Sequence, residues 1–544
     1  MPRALTRLLL PVALTALLAA PALACTNLIV SPGASADGSV YVTYTCDGEF
    51  HPTLQRIPAG DHEPGEMQEI KHWNDKVLGE IPYPPHTFGV VNLMNDHQVS
   101  IAETTTVGRP ELVNPDGMLH YWHLMRLSLQ RASTARECVE VMGRLVDEFG
   151  YRSSGESYCI ADPHETWIME MVGPGEGGHG AYWVALRIPD GYISAFANGG
   201  RIGTFPLQNS DKCLYTKDMI DFATEKGWYD PASGPFNWRE AFHPQTPQQL
   251  RYTATRVWSI FRRAAPSLEL SPDYHRGGGG AEPYPLWIKP DHKLTTADVF
   301  ALMRDHYEGT AYDMTQGVDA GPGSDPRHLR PMGFEVEGVK YTWERPISTQ
   351  QTGFSMVCQM RSWLPDMVGG VSWYGLDDTD FTCYTPLYCD IDALPGSFTT
   401  GSLGQFSWDS AWWVFNFVSN FSGLRYDKMI GDVRTVRNEI ENHYLDLQPA
   451  VEKAAAELLK TDPELACSYL TDYSVMHAED MVVKWRKLGE YLLTKYNDGY
   501  IKDEKGSPHE VGYPEAWLKK VLEQRPDQFR LPQDEGELAK PTEY

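Results

Sequence analysis

Cys25 stands in the stretch ALACTNLIV, Ala22 to Val30, directly after Ala22-Leu23-Ala24. That small-residue pattern is where signal peptidases cut. Cleavage there makes the cysteine the first residue of the chain. A thiol with a pKa of about 8.5 is a modest nucleophile until a base assists it. An N-terminal residue carries its own base, an α-amino group with a pKa of about 7.7–8.0. Tethered to the same Cα, this amine can take the thiol proton, directly or through one water. It can then return a proton to a leaving amine. One cut would create nucleophile and base together.

What precedes the cysteine fits that cut. MPRALTRLLLPVALTALLAAPALA opens with Arg3 and Arg7, runs apolar from Leu8 to Ala20 and ends in small residues. This is the layout of a secretory signal peptide over residues 1–24. The apolar run is too short for a bilayer of roughly 30 Å, and no later run approaches that length, so no membrane span is expected. The expected location is periplasmic or extracellular. A lipoprotein signal also ends before a cysteine but prefers a large aliphatic residue three places earlier, where Ala22 stands. The alternative that follows from it is a lipid-anchored binding protein with an acylated Cys25 and no catalysis.

The 544 residues carry a formal charge of −26 at pH 7. So acidic a surface argues against nucleic acid or anionic lipid as a partner. Apart from Cys25 there are eight cysteines: Cys46, Cys138, Cys159, Cys213, Cys358, Cys383, Cys389 and Cys467. An even number in an oxidising compartment permits disulfides, though plain buried thiols fit as well. There is no CxxC, no HExxH and no G-x-S-x-G, and no metal site is expected among the scattered histidines. Gly173-Pro-Gly175-Glu-Gly177-Gly178 matches G-x-G-x-x-G, but a strand pattern follows it instead of a helix. It therefore reads as a hairpin loop and not a dinucleotide site.

These residues must be positioned by the elements around them. TNLIV, a turn at Asp37-Gly38 and VYVTY read as strand, turn, strand, with Cys25 opening the first strand. YCIADPHETWIMEMV reads as a second hairpin, and AYWVALRIPDGYISAFANGG as a third around Asp190-Gly191. Thr134 to Glu137 and Thr295 to Asp298 read as N-caps of helices. Beyond residue 420 the pattern is helical, with Pro449 expected to divide VRTVRNEIENHYLDL from AVEKAAAELLK. The class is α+β.

Cys25-Thr-Asn-Leu-Ile-Val, the turn Gly33 to Ser39, and Asp47 twenty-two residues after the cysteine resemble the dipeptidase A and secernin family of N-terminal-nucleophile cysteine peptidases. The resemblance continues in order through TAREC, SYCIADPHETWIMEMVG, RVWSIFRRAAPS, LMRDHYEGTAYD and MRSWLPDMVGGVSWYG. It implies a four-layer αββα sandwich at residues 25–420, a helical C-terminal region at 421–544, hydrolysis of small peptides, and neither metal nor cofactor. It implies Cys25 as nucleophile, Asp47 as the acid that holds the cysteine and its amine, and Asn198 in the oxyanion hole. Arg256 and Glu103 fall at substrate-pocket positions. Tyr44 stands where many members have an arginine, and it supplies no permanent charge. The expected activity is that of an exported cysteine dipeptidase working through an acyl-enzyme. Hydrolysis of an N-acyl amide, as in penicillin V or bile-salt amidases, is the nearest alternative. Whether the protein forms a homo-oligomer is left open.

Overall fold

The computed structural model describes residues 25–106 and 108–531. The leader expected at 1–24 lies outside them. Two antiparallel sheets organise the fold. In the first, six strands run in the order Ile193–Phe196, Asn27–Val30, Val40–Asp47, Thr352–Met360, Val371–Leu376 and Thr385–Tyr388. The second has eight strands and is centred on Ser100–Thr105, Gly155–Ala161, Thr166–Val172 and Tyr182–Arg187. The 27–30 and 40–47 strands pack against the 100–105 and 155–161 strands. The class is therefore α+β.

Helices cover the sheets. Ala135–Phe149 begins at Thr134, whose hydroxyl accepts from the Glu137 N–H, and lies on the 155–161 and 166–172 strands. Val139, Met142, Leu145 and Val146 are buried at helical spacing. Pro247–Ala264 starts in a full capping box of Thr246 and Gln249 and packs on the 193–196 strand of the other sheet. Tyr426–Leu459 and Pro463–Tyr496 pack on each other and on the 385–388 strand. Their buried side chains belong to the same hydrophobic core as Cys25.

Two expectations need correction. Pro449 does not break its helix, because Tyr426–Leu459 runs through it. One intrahelical hydrogen bond is lost there, at a cost of about 3 kcal/mol. Burial of Gln448, Val451 and Glu452 on either side offsets the loss. The stretch around Asp190-Gly191 is not a hairpin either. Tyr182–Arg187 pairs within the eight-stranded sheet, whereas Ile193–Phe196 pairs with Asn27–Val30. The turn carries the chain from one sheet to the other. Finally, all nine cysteines are free thiols, so no pair is bridged.

Candidate active site

The first hairpin positions Cys25. Ile29 pairs with Val42 and Val30 with Tyr41, and a bridge joins Thr26 to Thr45. Asp37 closes the turn by accepting from the Ser39 N–H and hydroxyl. The same register carried one residue further sets Cys25 opposite Cys46 and close to Tyr44 and Asp47. The cysteine is buried.

Two long-range contacts fix its main chain. The Cys25 nitrogen donates to Asn198 Oδ1 at 3.1 Å. Its carbonyl accepts from Arg256 Nη1 at 2.7 Å, and Arg256 also reaches Thr26 Oγ1 at 3.0 Å. The other Arg256 donors go to Tyr252 O, Ala197 O and Asn198 Oδ1 at 3.0, 3.2 and 2.9 Å. All five N–H groups of this buried guanidinium thus meet protein acceptors. Burial lowers its pKa to about 10, with Arg345 adding to the effect. Asn198 has a positive φ of 61°, a conformation that asparagine tolerates better than most residues. Its Nδ2 donates to Thr105 O at 2.8 Å. The side chain therefore turns its acceptor, and not its donor, to the cysteine nitrogen.

The thiol faces acids. Sγ points to Tyr44 Oη at 3.7 Å and to Glu103 Oε1 at 3.8 Å, and the Tyr44 hydroxyl donates to the same Glu103 oxygen. The thiol pKa is pushed well up, first by burial, then by a hydrogen bond with Cys46 and the charges of Glu103 and Asp47. Glu103 is itself held up by burial, against hydrogen bonds involving Glu156, Tyr44, Cys25 and Thr105. Such a thiol stays protonated until a base removes its proton.

Asp47 sits one step away. Thr352 Oγ1 donates to its Oδ1 at 2.7 Å, and Arg345 Nη2 to its Oδ2 at 2.8 Å. Burial raises its pKa to about 6, with Arg345 pulling the other way. The fold thus brings Cys25, Tyr44, Asp47, Glu103, Asn198 and Arg256 into one neighbourhood. Sequence reasoning missed Arg345, Thr352 and Glu156. The first two lie about 300 residues from Asp47 in no motif. Glu156 looks like one more residue in a regular strand. Among the described residues no group of three or more His, Cys, Asp or Glu could hold a metal ion.

Residues 24–439 match the family model of peptidase family C69. A probable dipeptidase of Salmonella dublin is 26% identical, over 67% of this chain and 81% of its own length. Dipeptidase A of Lactobacillus helveticus is 24% identical over 74% of this chain and 82% of its own. A dipeptidase of Bifidobacterium longum is 24% identical over 69% and 72%.

Proposed function

Since the chain belongs to peptidase family C69, we propose that it is a cysteine dipeptidase with Cys25 as an N-terminal nucleophile. The carrying observation is that one residue presents both groups. Its thiol lies against Tyr44 and Glu103, and its α-nitrogen is held by Asn198. Removal of residues 1–24 converts that nitrogen from an amide into a basic amine. The amine takes the thiol proton, and the thiolate attacks the peptide carbonyl. The tetrahedral oxyanion collapses, the amine protonates the departing amino acid, and water then releases the acyl group. Asn198 and Arg256 act as positioning residues, because their polar atoms hold the Cys25 main chain. Asp47 fixes Arg345 beside them.

Helices pack on strands of both sheets, which supports reading residues 25–420 as a four-layer αββα sandwich followed by a helical region at 421–544. The Ala22-Leu23-Ala24 sequence supports an exported protein that begins at Cys25. N-terminal sequencing of secreted protein tests the cut. A panel of dipeptides and N-acyl amides, assayed for released amine, tests the activity. Cys25→Ala should abolish turnover. One extra residue before Cys25 should lower it by about 10²–10⁴, the worth of a positioned base. Equal rates with and without that residue would exclude the amine as base.

A further inference from the structure

Next to the thiol lies a second carboxylate that the chemistry above does not use. Glu103 and Glu156 belong to the paired strands 100–105 and 155–161. Thr105 stands opposite Glu156, so the two acids are diagonal neighbours on one face. Both are buried. Among the described residues, Glu103 Oε2 and the Glu156 carboxylate oxygens meet no main-chain donor and no cation; the two acids hydrogen-bond each other, and Thr105 lies against Glu156. The groups acting on Glu156 are burial, Glu103 and Thr105, and no cation is among them. Tyr121, Tyr151 and Tyr158 are all pushed up, first by burial and then by these two acids among others. An uncompensated buried carboxylate is strongly destabilising. In the resting site a proton held between the two acids meets that cost.

We propose that Glu103 and Glu156 seat the free α-ammonium group of the substrate and so restrict the enzyme to peptides with an unblocked N-terminus. This rests on the dipeptidase reading. In a dipeptide the ammonium nitrogen and the scissile carbonyl carbon flank one Cα. Bonds of about 1.46 and 1.52 Å put them about 2.5 Å apart. A carbonyl carbon in near-attack contact, about 3–3.5 Å from Sγ, leaves the nitrogen within about 6 Å of the sulfur. Glu103 Oε1 is 3.8 Å from that sulfur. The ammonium can therefore hydrogen-bond Glu103 while the carbonyl sits over the thiol. Its three donors suit a pair of carboxylates, and its charge displaces the shared proton. An N-acyl substrate offers one neutral N–H in that place and an acyl group too large for it.

The test compares alanyl-alanine with N-acetyl-alanyl-alanine and with propionyl-alanine, which keeps the scissile amide and lacks only the amino group. The wild-type enzyme should prefer alanyl-alanine in kcat/KM by about a hundredfold or more, as sites built for a polar substrate group do. Glu156→Gln should raise KM for alanyl-alanine about tenfold or more. Its kcat/KM for propionyl-alanine should fall markedly less than that for alanyl-alanine, because this substrate never makes the ammonium contact. Comparable wild-type rates on all three compounds would overturn the ammonium seat while leaving a hydrolase of this type standing. An equal loss on both unblocked and des-amino substrates in Glu156→Gln would overturn it too. Turnover of N-acyl amides alone would remove the dipeptidase reading, and the seat with it. Should Glu156→Gln not fold, the wild-type preference decides.

Discussion

The side-chain oxygen of Asn198 accepts from the Cys25 nitrogen and from the Arg256 guanidinium at once, at 3.1 and 2.9 Å. A neutral acceptor shared with a cation stabilises an α-ammonium less than a carboxylate would. The arrangement thus holds the nitrogen in place without a negatively charged partner.

Asn198→Asp should therefore move the acid limb of the kcat profile to higher pH, by about one unit, because a carboxylate favours the protonated amine. Asn198→Ala should cost on the order of a hundredfold in kcat. A purely structural asparagine would lower activity in both variants without moving the limb.

Glu103→Gln removes a like charge from beside the thiol. At pH 7 alkylation of Cys25 by iodoacetamide should become severalfold faster than in the wild type, since less negative surroundings lower a thiol pKa. Peptide turnover should fall in the same variant. An unchanged alkylation rate would remove Glu103 from the electrostatics of the nucleophile.

Asp47 links the site to stability. Its carboxyl titrates at about 6 in the folded protein and at about 3.9 when unfolded. Between those values the native state binds the proton more tightly. Its contribution to stability is therefore complete below about pH 4 and is lost as pH rises through about 6, by roughly 3 kcal/mol. Asp47→Asn should flatten the fall of Tm over that window. It should also lower Tm throughout, because the buried ion pair between Asp47 and Arg345 is lost. A slope equal to that of the wild type would refute this assignment.

Thr26 and Thr45 exchange both main-chain hydrogen bonds, so Cys25 and Cys46 form the next, non-hydrogen-bonded pair. Such pairs have Cα atoms about 4.5 Å apart, within disulfide range. Treatment with diamide should join the two thiols, abolish activity and be reversed by dithiothreitol. Cys46→Ser should leave no such reversible loss. Peptide mapping identifies the bridge, and its absence from the oxidised protein would disprove the pairing.

The part of the site that lies within one hairpin was legible in the sequence. Cys25 opens a hairpin whose strands are joined by a turn with an Asp-Gly signal, and local pattern suffices there, whereas Tyr44 and Asp47 on its second strand came from the resemblance. Glu103, Asn198 and Arg256 came from resemblance alone, since nothing in AETTT, FANGG or TATRVW marks them chemically. Asn198 was expected to offer its donor to an oxyanion, and Arg256 to meet substrate. Side-chain direction and saturation of donors depend on partners that no spacing encodes. The sheet change after Asp190-Gly191 escaped for a similar reason, because a tight turn looks the same whether its two strands pair or part.

The Cys25 nitrogen and carbonyl are held by residues 173 and 231 positions away, and Asp47 by one 298 positions away. Contacts this distant form after local helices and hairpins, because a long loop must close first. The first residue of the hairpin is thus among the last to be fixed. During refolding, hydrolysis should return behind far-ultraviolet ellipticity and together with docking of the 247–264 helix and the 352–360 strand. A chain that ends before Arg345 would contain the nucleophile, its hairpin and the 135–149 and 247–264 helices, and still lack the geometry that makes the cysteine an enzyme.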